Sequence, residues 1–136
     1  IYYITSERFM LDYVNSVQNN RGNLFKEKYR KYDVLIMDDV QFLSGKEKTQ
    51  EELFHLSNTF HENNKQIIFS SDKAPKYLSG IEDRLRSRLE GGMIVDINKP
   101  DYESRLAILK YKTKLNNFPL GDEILEYVAL VIQDNR

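Results

Sequence analysis

The chain has 136 residues, with 20 Lys plus Arg against 21 Asp plus Glu, a formal net charge of −1, 40% hydrophobic residues and no cysteine. That length supports one domain with a sizeable core, or a domain with a small second lobe, without disulfide or metal staples. The missing cysteine excludes disulfides, thiolate metal sites and cysteine nucleophiles and fits the reducing cytoplasm, while the balanced charge excludes a generally polycationic nucleic-acid binder and leaves only local clusters for such contacts.

In chain order, YYIT at 2–5 reads as a strand. A helix follows with Ser6 as its expected N-cap and Phe9, Met10, Tyr13, Val14 and Val17 on one stripe, ended by Asn19, Asn20 and Gly22. A shorter helix carries Phe25 and Tyr29 inside the basic cluster RGNLFKEKYRKY. VLIM at 34–37 is a buried-strand run, and the segment from Glu47 to about Glu62 sets Leu53, Leu56 and Phe60 at helical spacing with acids at its N-terminal end. QIIFS at 66–70 and MIVDI at 93–97 read as further strands, with IEDRLRSRLEGG at 81–92 as a helix between them.

Beyond Lys99 the pattern is helical. Pro100 and Asp101 start a helix with Tyr102, Leu106 and Leu109 on one face, NNFPLGD forms a turn, and a second helix from near Asp122 carries Ile124, Val128 and Ile132. Alternating strands and helices predict an α/β class with a largely parallel sheet, over 1–98, followed by a small helical lobe over 99–136. No repeat or low-complexity segment is present, no run approaches the roughly 20 apolar residues that span a bilayer, and no signal-peptide pattern opens the chain. A soluble protein is expected.

The chemistry concentrates in VLIMDD. Side chains just past the C-terminal end of a buried parallel strand project into the crevice where open α/β sheets bind ligands. Asp38 and Asp39 there either hold Mg2+ and polarise a water beside a phosphate, or cap the next segment; the stretch alone favours neither. Asp72, after the 66–70 strand, falls at the same sheet edge if the two strands are neighbours. Arg84 and Arg88 share a helical face, either for ion pairs within the fold or to reach a phosphate on another subunit. His55 and His61 do not suit a two-ligand helical metal site, no HExxH or GxSxG motif occurs, and no GxxxxGK[ST] phosphate loop is present among the 136 residues.

Taken together, YYITSERF, FKEKYR, YDVLIMDDVQFLSGKEKTQEELFH, QIIFSSDKAP, IEDRLRSRLEGG and DINKPDYESRLAILKYK resemble, in order from Tyr2 to about Asn135, the AAA+ domain of the DnaA family of bacterial replication initiators. The resemblance implies a P-loop-type parallel sheet sandwiched by helices and the start of an all-helical lid. It implies Asp38 and Asp39 as Walker B acids, the first placing Mg2+ and the second polarising the attacking water, with Asp72 at sensor 1. Arg88 matches the arginine finger that reaches the ATP of a neighbouring protomer, and Arg84 supports assembly. Val14, Lys46 and Lys48 correspond to contacts with single-stranded origin DNA, against which Val14 also fits the core stripe and GKEK a solvated turn.

The family's partners follow as expectations: ATP and Mg2+, origin DNA, self-assembly into a filament, the replicative helicase and regulators; acidic phospholipids occur in the family without support from these residues. The family's Walker A loop belongs before Tyr2, and its sensor 2 arginine and helix-turn-helix domain after Arg136. Little ATP affinity is therefore expected of these residues by themselves, and a gap in the sheet where the strand feeding that loop belongs, between the strands at 66–70 and 93–97. A non-catalytic AAA+ interaction module and a helicase-loader ATPase are the alternatives.

Overall fold

The computed structural model describes residues 1–132, so the last residues of the resembling stretch, including Asn135, lie outside the described residues. The chain divides into two compact units, Ile1–Val95 and Asp96–Arg136. In the first, β1 (Tyr2–Thr5), β2 (Val34–Asp38) and β3 (Gln66–Phe69) form a parallel sheet in the order β1-β2-β3. Helices α1 (Ser6–Gln18) and α2 (Gly22–Arg30) connect β1 to β2, and α3 (Glu47–Glu62) connects β2 to β3. Short 3-10 turns at Val40–Leu43 and Pro75–Tyr77 precede α3 and α4 (Asp83–Glu90).

Strand side chains alternate between faces, and the register Tyr2↔Leu35↔Ile67 and Ile4↔Met37 aligns the alternation across the sheet. Tyr2, Ile4, Leu35, Met37, Ile67 and Phe69 therefore share the face that packs against Phe9, Phe25, Tyr29, Leu53, Leu56, Phe60 and Leu85. Leu35 and Met37 are fully buried there, each stabilising the fold by about 1.5–3 kcal/mol through removal of apolar surface from water. The opposite face presents Tyr3, 57% exposed, and Ile68, 47% exposed. Asp38 and Ser70 fall on this same open face by the same alternation.

Phe9, Phe25 and Tyr29 form a ring cluster with centroids 4.9–5.3 Å apart, which fastens α2 to α1. The buried Tyr29 hydroxyl donates to Asp12 Oδ2 at 2.8 Å, and Lys28 Nζ donates to the same oxygen at 2.5 Å. Burial alone raises the Asp12 carboxyl, but these two bonds outweigh it and hold the group below its ordinary range. The amphipathic reading of α2 and α3 thus matches the packing.

Four local expectations are corrected. The N-cap of α1 is Thr5, whose hydroxyl accepts from Arg8 N at 3.3 Å; Ser6 is already helical and its hydroxyl is committed elsewhere. Val14 and Val17 lie outside the core stripe, 40% and 56% exposed, because Phe9, with Met10 and Tyr13 partly buried beside it, already fills the face that meets α2 and the sheet. The MIVDI run at 93–97 is not a strand: it has no ladder partner among the described residues, and Met93, Ile94, Val95 and Ile97 are exposed. A strand is held by its neighbour's N–H and C=O groups, so apolar β-branched content without a neighbour leaves irregular backbone. Among the described residues the sheet is β1-β2-β3, and with 93–97 unpaired the expected gap between the 66–70 and 93–97 strands does not arise within it.

The second unit holds α5 (Tyr102–Leu115) and α6 (Asp122–Val131). Asp101 caps α5 by accepting from Ser104 N at 2.8 Å. Arg105 joins the helices, its Nε donating to Ala129 O at 2.8 Å and its Nη1 to Pro100 O at 2.9 Å. Leu125 and Ala129 are the buried positions of α6, with Val128 half-buried, whereas Ile124 and Ile132 are exposed; the apolar stripe is rotated by one residue from the expected one, because the apolar residues after Glu123 fall on several faces of α6 and pattern alone cannot choose the inner one. No helix among the described residues is long and apolar enough to cross a membrane.

Candidate functional site

The C-terminal ends of the strands form the site. Asp38 is the last residue of β2, on the open face with Tyr3 of β1 and with Ser70 just past β3. The Tyr3 hydroxyl donates to Asp38 Oδ2 at 2.5 Å, and the Ser70 hydroxyl donates to Asp38 Oδ1. Ser70 Oγ in turn accepts from Asp39 N at 3.0 Å. The Ser70 and Tyr3 bonds, in that order of effect, keep the Asp38 carboxyl below its ordinary value of 3.8. The same contact with the Asp38 anion raises the Tyr3 phenol above 10.0. Asp38 is thus an anion at neutral pH, held in one orientation by a hydroxyl from each neighbouring strand.

Asp39 adopts a left-handed conformation, φ 59° and ψ 52°. For a non-glycine residue that conformation costs about 1–2 kcal/mol, least for Asp and Asn, and it persists only where the surroundings over-determine it. They do so here. Asp39 O accepts from the buried Ser6 hydroxyl at 2.6 Å, its N–H is tied to Ser70, and its Oδ1 accepts from Gln41 Nε2 at 2.9 Å. Val40 N donates to Ser70 O at 3.0 Å and Ser70 N to Met37 O at 3.0 Å, so the ends of β2 and β3 are locked together around the bend. The turn separates the two adjacent carboxylates: Asp38 points to the hydroxyls and Asp39 to the Gln41 amide.

Asp72 lies two residues beyond Ser70 and is exposed; Ser70, not Asp72, is the residue that touches the acids. Arg84 pairs with Glu82 at 2.8 Å and with Glu51 of α3 at 3.6 Å, with its guanidinium over the Phe54 ring. Arg88 donates to Asn58 Oδ1, also on α3. Neither arginine contacts Asp38, Asp39 or Asp72. Lys46 and Lys48, at the N-terminal end of α3, are exposed with no ion pair among the described residues. Cations are unfavourable at a helix N-terminus, so helix stability does not account for them. Val14 shows an exposed methyl surface on α1.

Sequence reasoning did not single out Tyr3, Ser6, Gln41 or Ser70 as members of the site. Their signal was present only in combination: Tyr3, Asp38 and Ser70 share a face once the parallel register is known. A hard cation such as Mg2+ takes one or two carboxylates and completes its shell with phosphate and water oxygens. The ionised, hydroxyl-bound Asp38 can supply one such carboxylate, and among the described residues no cluster of three acids or histidines offers an all-protein cage.

Comparison with known proteins gives one family. The family model of the bacterial DnaA ATPase domain matches residues 1–96. The chromosomal replication initiator protein DnaA of Thermoanaerobacter sp. (strain X514) is 53% identical over 135 residues, covering 99% of this chain and 30% of that protein. Domain III of the Thermotoga maritima replication initiation protein DnaA superposes with a TM-score of 0.93 at 43% identity, over 98% of this chain and 56% of that one. A replication initiator DnaA solved with AMPPCP and single-stranded DNA superposes at 0.91 and 41% identity, over 98% of this chain and 41% of that one. The chain spans under a third of the length of the curated relatives it matches.

Proposed function

Because this chain belongs to the bacterial DnaA ATPase-domain family, we propose that it is part of an ATP-driven replication initiator that assembles on origin DNA in the cytoplasm and opens the duplex. The observation that carries this reading is the hydroxyl-held Asp38 anion at the end of β2, beside Asp39 in its fixed left-handed bend. Asp38 would hold Mg2+ and Asp39 would take the proton of the attacking water. When bound, Mg2+ offsets charge developing on the phosphoryl oxygens. Tyr3 and Ser70 keep Asp38 ionised and aimed, Gln41 orients Asp39, and Asp72 stands at the same edge to orient water or a terminal phosphate.

The grip on the phosphates would come from a GxxxxGK[ST] loop that these 136 residues do not contain, so ATP binding is assigned to the larger protein. Arg88, supported by Arg84, would serve the ATP of a neighbouring protomer in a filament. Val14, Lys46 and Lys48 would contact single-stranded DNA, a reading supported by their exposure and by the DNA-bound relative. The helicase and regulators are the further partners of such an assembly. The test is Asp38→Asn in the full-length protein: Mg2+-dependent ATP hydrolysis falls about 100-fold or more while nucleotide binding in EDTA is retained. Hydrolysis at the wild-type rate would sink the assignment.

A further inference from the structure

Gln50 is a polar side chain with no exposure, on the first turn of α3, and every hydrogen bond it makes is to backbone. Its Nε2 donates to Leu43 O at 2.7 Å and to Gly80 O at 2.8 Å, and its Oε1 accepts from Glu82 N at 2.7 Å. Leu43 ends the turn that leads to Lys46; Gly80 and Glu82 lead into α4, which carries Arg84 and Arg88. Around this amide the two loops touch directly. Gly45 N donates to Gly80 O at 2.9 Å and the Ser44 hydroxyl to Ser79 O at 2.8 Å.

The approach is close enough to require glycine. Gly80 has φ +70°, and a Cβ there would lie 2.3 Å from Ser44 Oγ and 3.1 Å from Gly45 N. From the α4 side, Arg86 Nη2 donates to Leu78 O at 3.0 Å and to Ile81 O at 2.9 Å. The loop at 78–82 is thus gripped by α3 through Gln50 and by α4 through Arg86. Leu43 O also accepts from Lys46 N at 2.9 Å and Gly80 O from Gly45 N, so loss of the Gln50 amide weakens two carbonyls and leaves Glu82 N without its partner, at the desolvation penalty of an unsatisfied donor.

We propose that Gln50 is a positioning residue that holds the Ser44–Lys46 turn and the start of α4 as one rigid joint, so that a nucleic-acid strand engaged at Lys46 and Lys48 is felt at Arg84 and Arg88. The joint is a property of the fold; its use rests on the reading of the lysines as strand contacts. A physical coupling needs an element whose state both sites bias, and here that element is the loop pair clamped by one side chain. The strand would order the turn, and the turn cannot move without Gly80 and Glu82.

Amide hydrogen exchange of the full-length protein tests this with and without oligothymidylate. In the wild type, segments 43–46 and 79–83 exchange in one common opening, and the bound strand slows both, and α4, several-fold. Gln50→Met keeps the volume and removes the bonds; it speeds exchange in both segments about tenfold, as expected for an unsatisfied buried group. It also abolishes the slowing at α4 while strand affinity stays within about threefold. Ser44→Ala, a milder change at an exposed residue, loosens both segments together.

Loosening of 43–46 alone in either variant, or slowing at α4 that persists in Gln50→Met, overturns the joint. A wild-type protein that binds the strand without any change at α4 overturns the coupling but leaves the lysine reading intact. Failure of the wild type to bind oligothymidylate overturns the lysine reading, and the coupling with it.

Discussion

The Tyr3 hydroxyl and Asp38 Oδ2, on residues thirty-five apart in the chain, meet at 2.5 Å on the open face of the sheet. The contact exists because β1 and β2 run parallel with Tyr3 opposite Ile36, which leaves the phenol one diagonal step from Asp38. It follows that Tyr3→Phe removes the second of the two hydroxyl bonds, after that of Ser70, that keep the Asp38 carboxyl low. The Asp38 carboxyl, now below 3.8, should titrate upward toward that value in Tyr3→Phe and further in Tyr3→Phe with Ser70→Ala, followed by the Asp38 side-chain carbonyl signal in NMR. The sign for stability follows. A carboxyl lowered on folding contributes stability that is present above about pH 3.8 and lost as pH falls through its folded-state value. The variant should therefore show a flatter loss of stability below pH 4 than the wild type.

Asp39 occupies left-handed backbone with its carboxylate and main chain held by Gln41, Ser6 and Ser70. Asp39→Asn tolerates that conformation, so stability should change by less than about 1 kcal/mol while hydrolysis by the full-length protein falls by about 100-fold or more. Asp39→Val should lose about 2 kcal/mol or more in urea denaturation, because a β-branched residue is a genuine outlier at positive φ. Equal stability of the two variants would remove the conformational argument.

Arg88 spends its guanidinium on Asn58 within its own subunit. To serve a neighbour's phosphate it must leave that partner, which Asn58→Ala makes free. Arg88→Ala should reduce hydrolysis in the assembled protein by about a thousandfold, whereas Asn58→Ala should assemble at least as readily as the wild type. Sedimentation with ATP, combined with turnover measurements, separates the two; a matching defect in both variants would mean that Arg88 acts only as a strut to α3.

Lys46 and Lys48 carry the electrostatic part of the DNA reading. Each phosphate contact contributes about 0.7 to the slope of log affinity against log salt for a single strand. Lys46→Ala and Lys48→Ala should each lower that slope by roughly 0.7 for oligothymidylate, while Val14→Ala weakens binding with the slope unchanged. Anisotropy titrations at three or more salt concentrations give the slopes, and an unchanged slope in both lysine variants would return the turn to a solvated surface.

Much of this was legible in the residues themselves. Leu53, Leu56 and Phe60 recur at helical spacing because one face of α3 must meet the sheet, and they are buried as that spacing requires. Phe25 and Tyr29 likewise declare the inner face of a short helix. MIVDI misled because β-propensity reports how a residue suits a pleated surface, and it does not report whether a neighbouring strand is there. The inner face of α6 was illegible because apolar residues ring the helix, so only contact with α5 could choose Leu125 and Ala129.

What the sequence by itself determined is local: the helices, the first three strands, the buried stripe of α3, and that two acids stand at the end of a buried strand. Periodicity and propensity act over a few residues, so they are written in the chain. The tertiary structure alone decided that Tyr3 and Ser70 flank Asp38, that Asp39 bends left-handed to face Gln41, that Val14 is open while Phe9 is buried, and that Gln50 clamps two loops from across the fold. The Tyr3 and Ser70 contacts with Asp38 depend on strand register across 35 and 32 residues, where a one-residue slip would turn every strand side chain to the other face; the others depend on which helix or loop packs beside them, which local pattern does not specify.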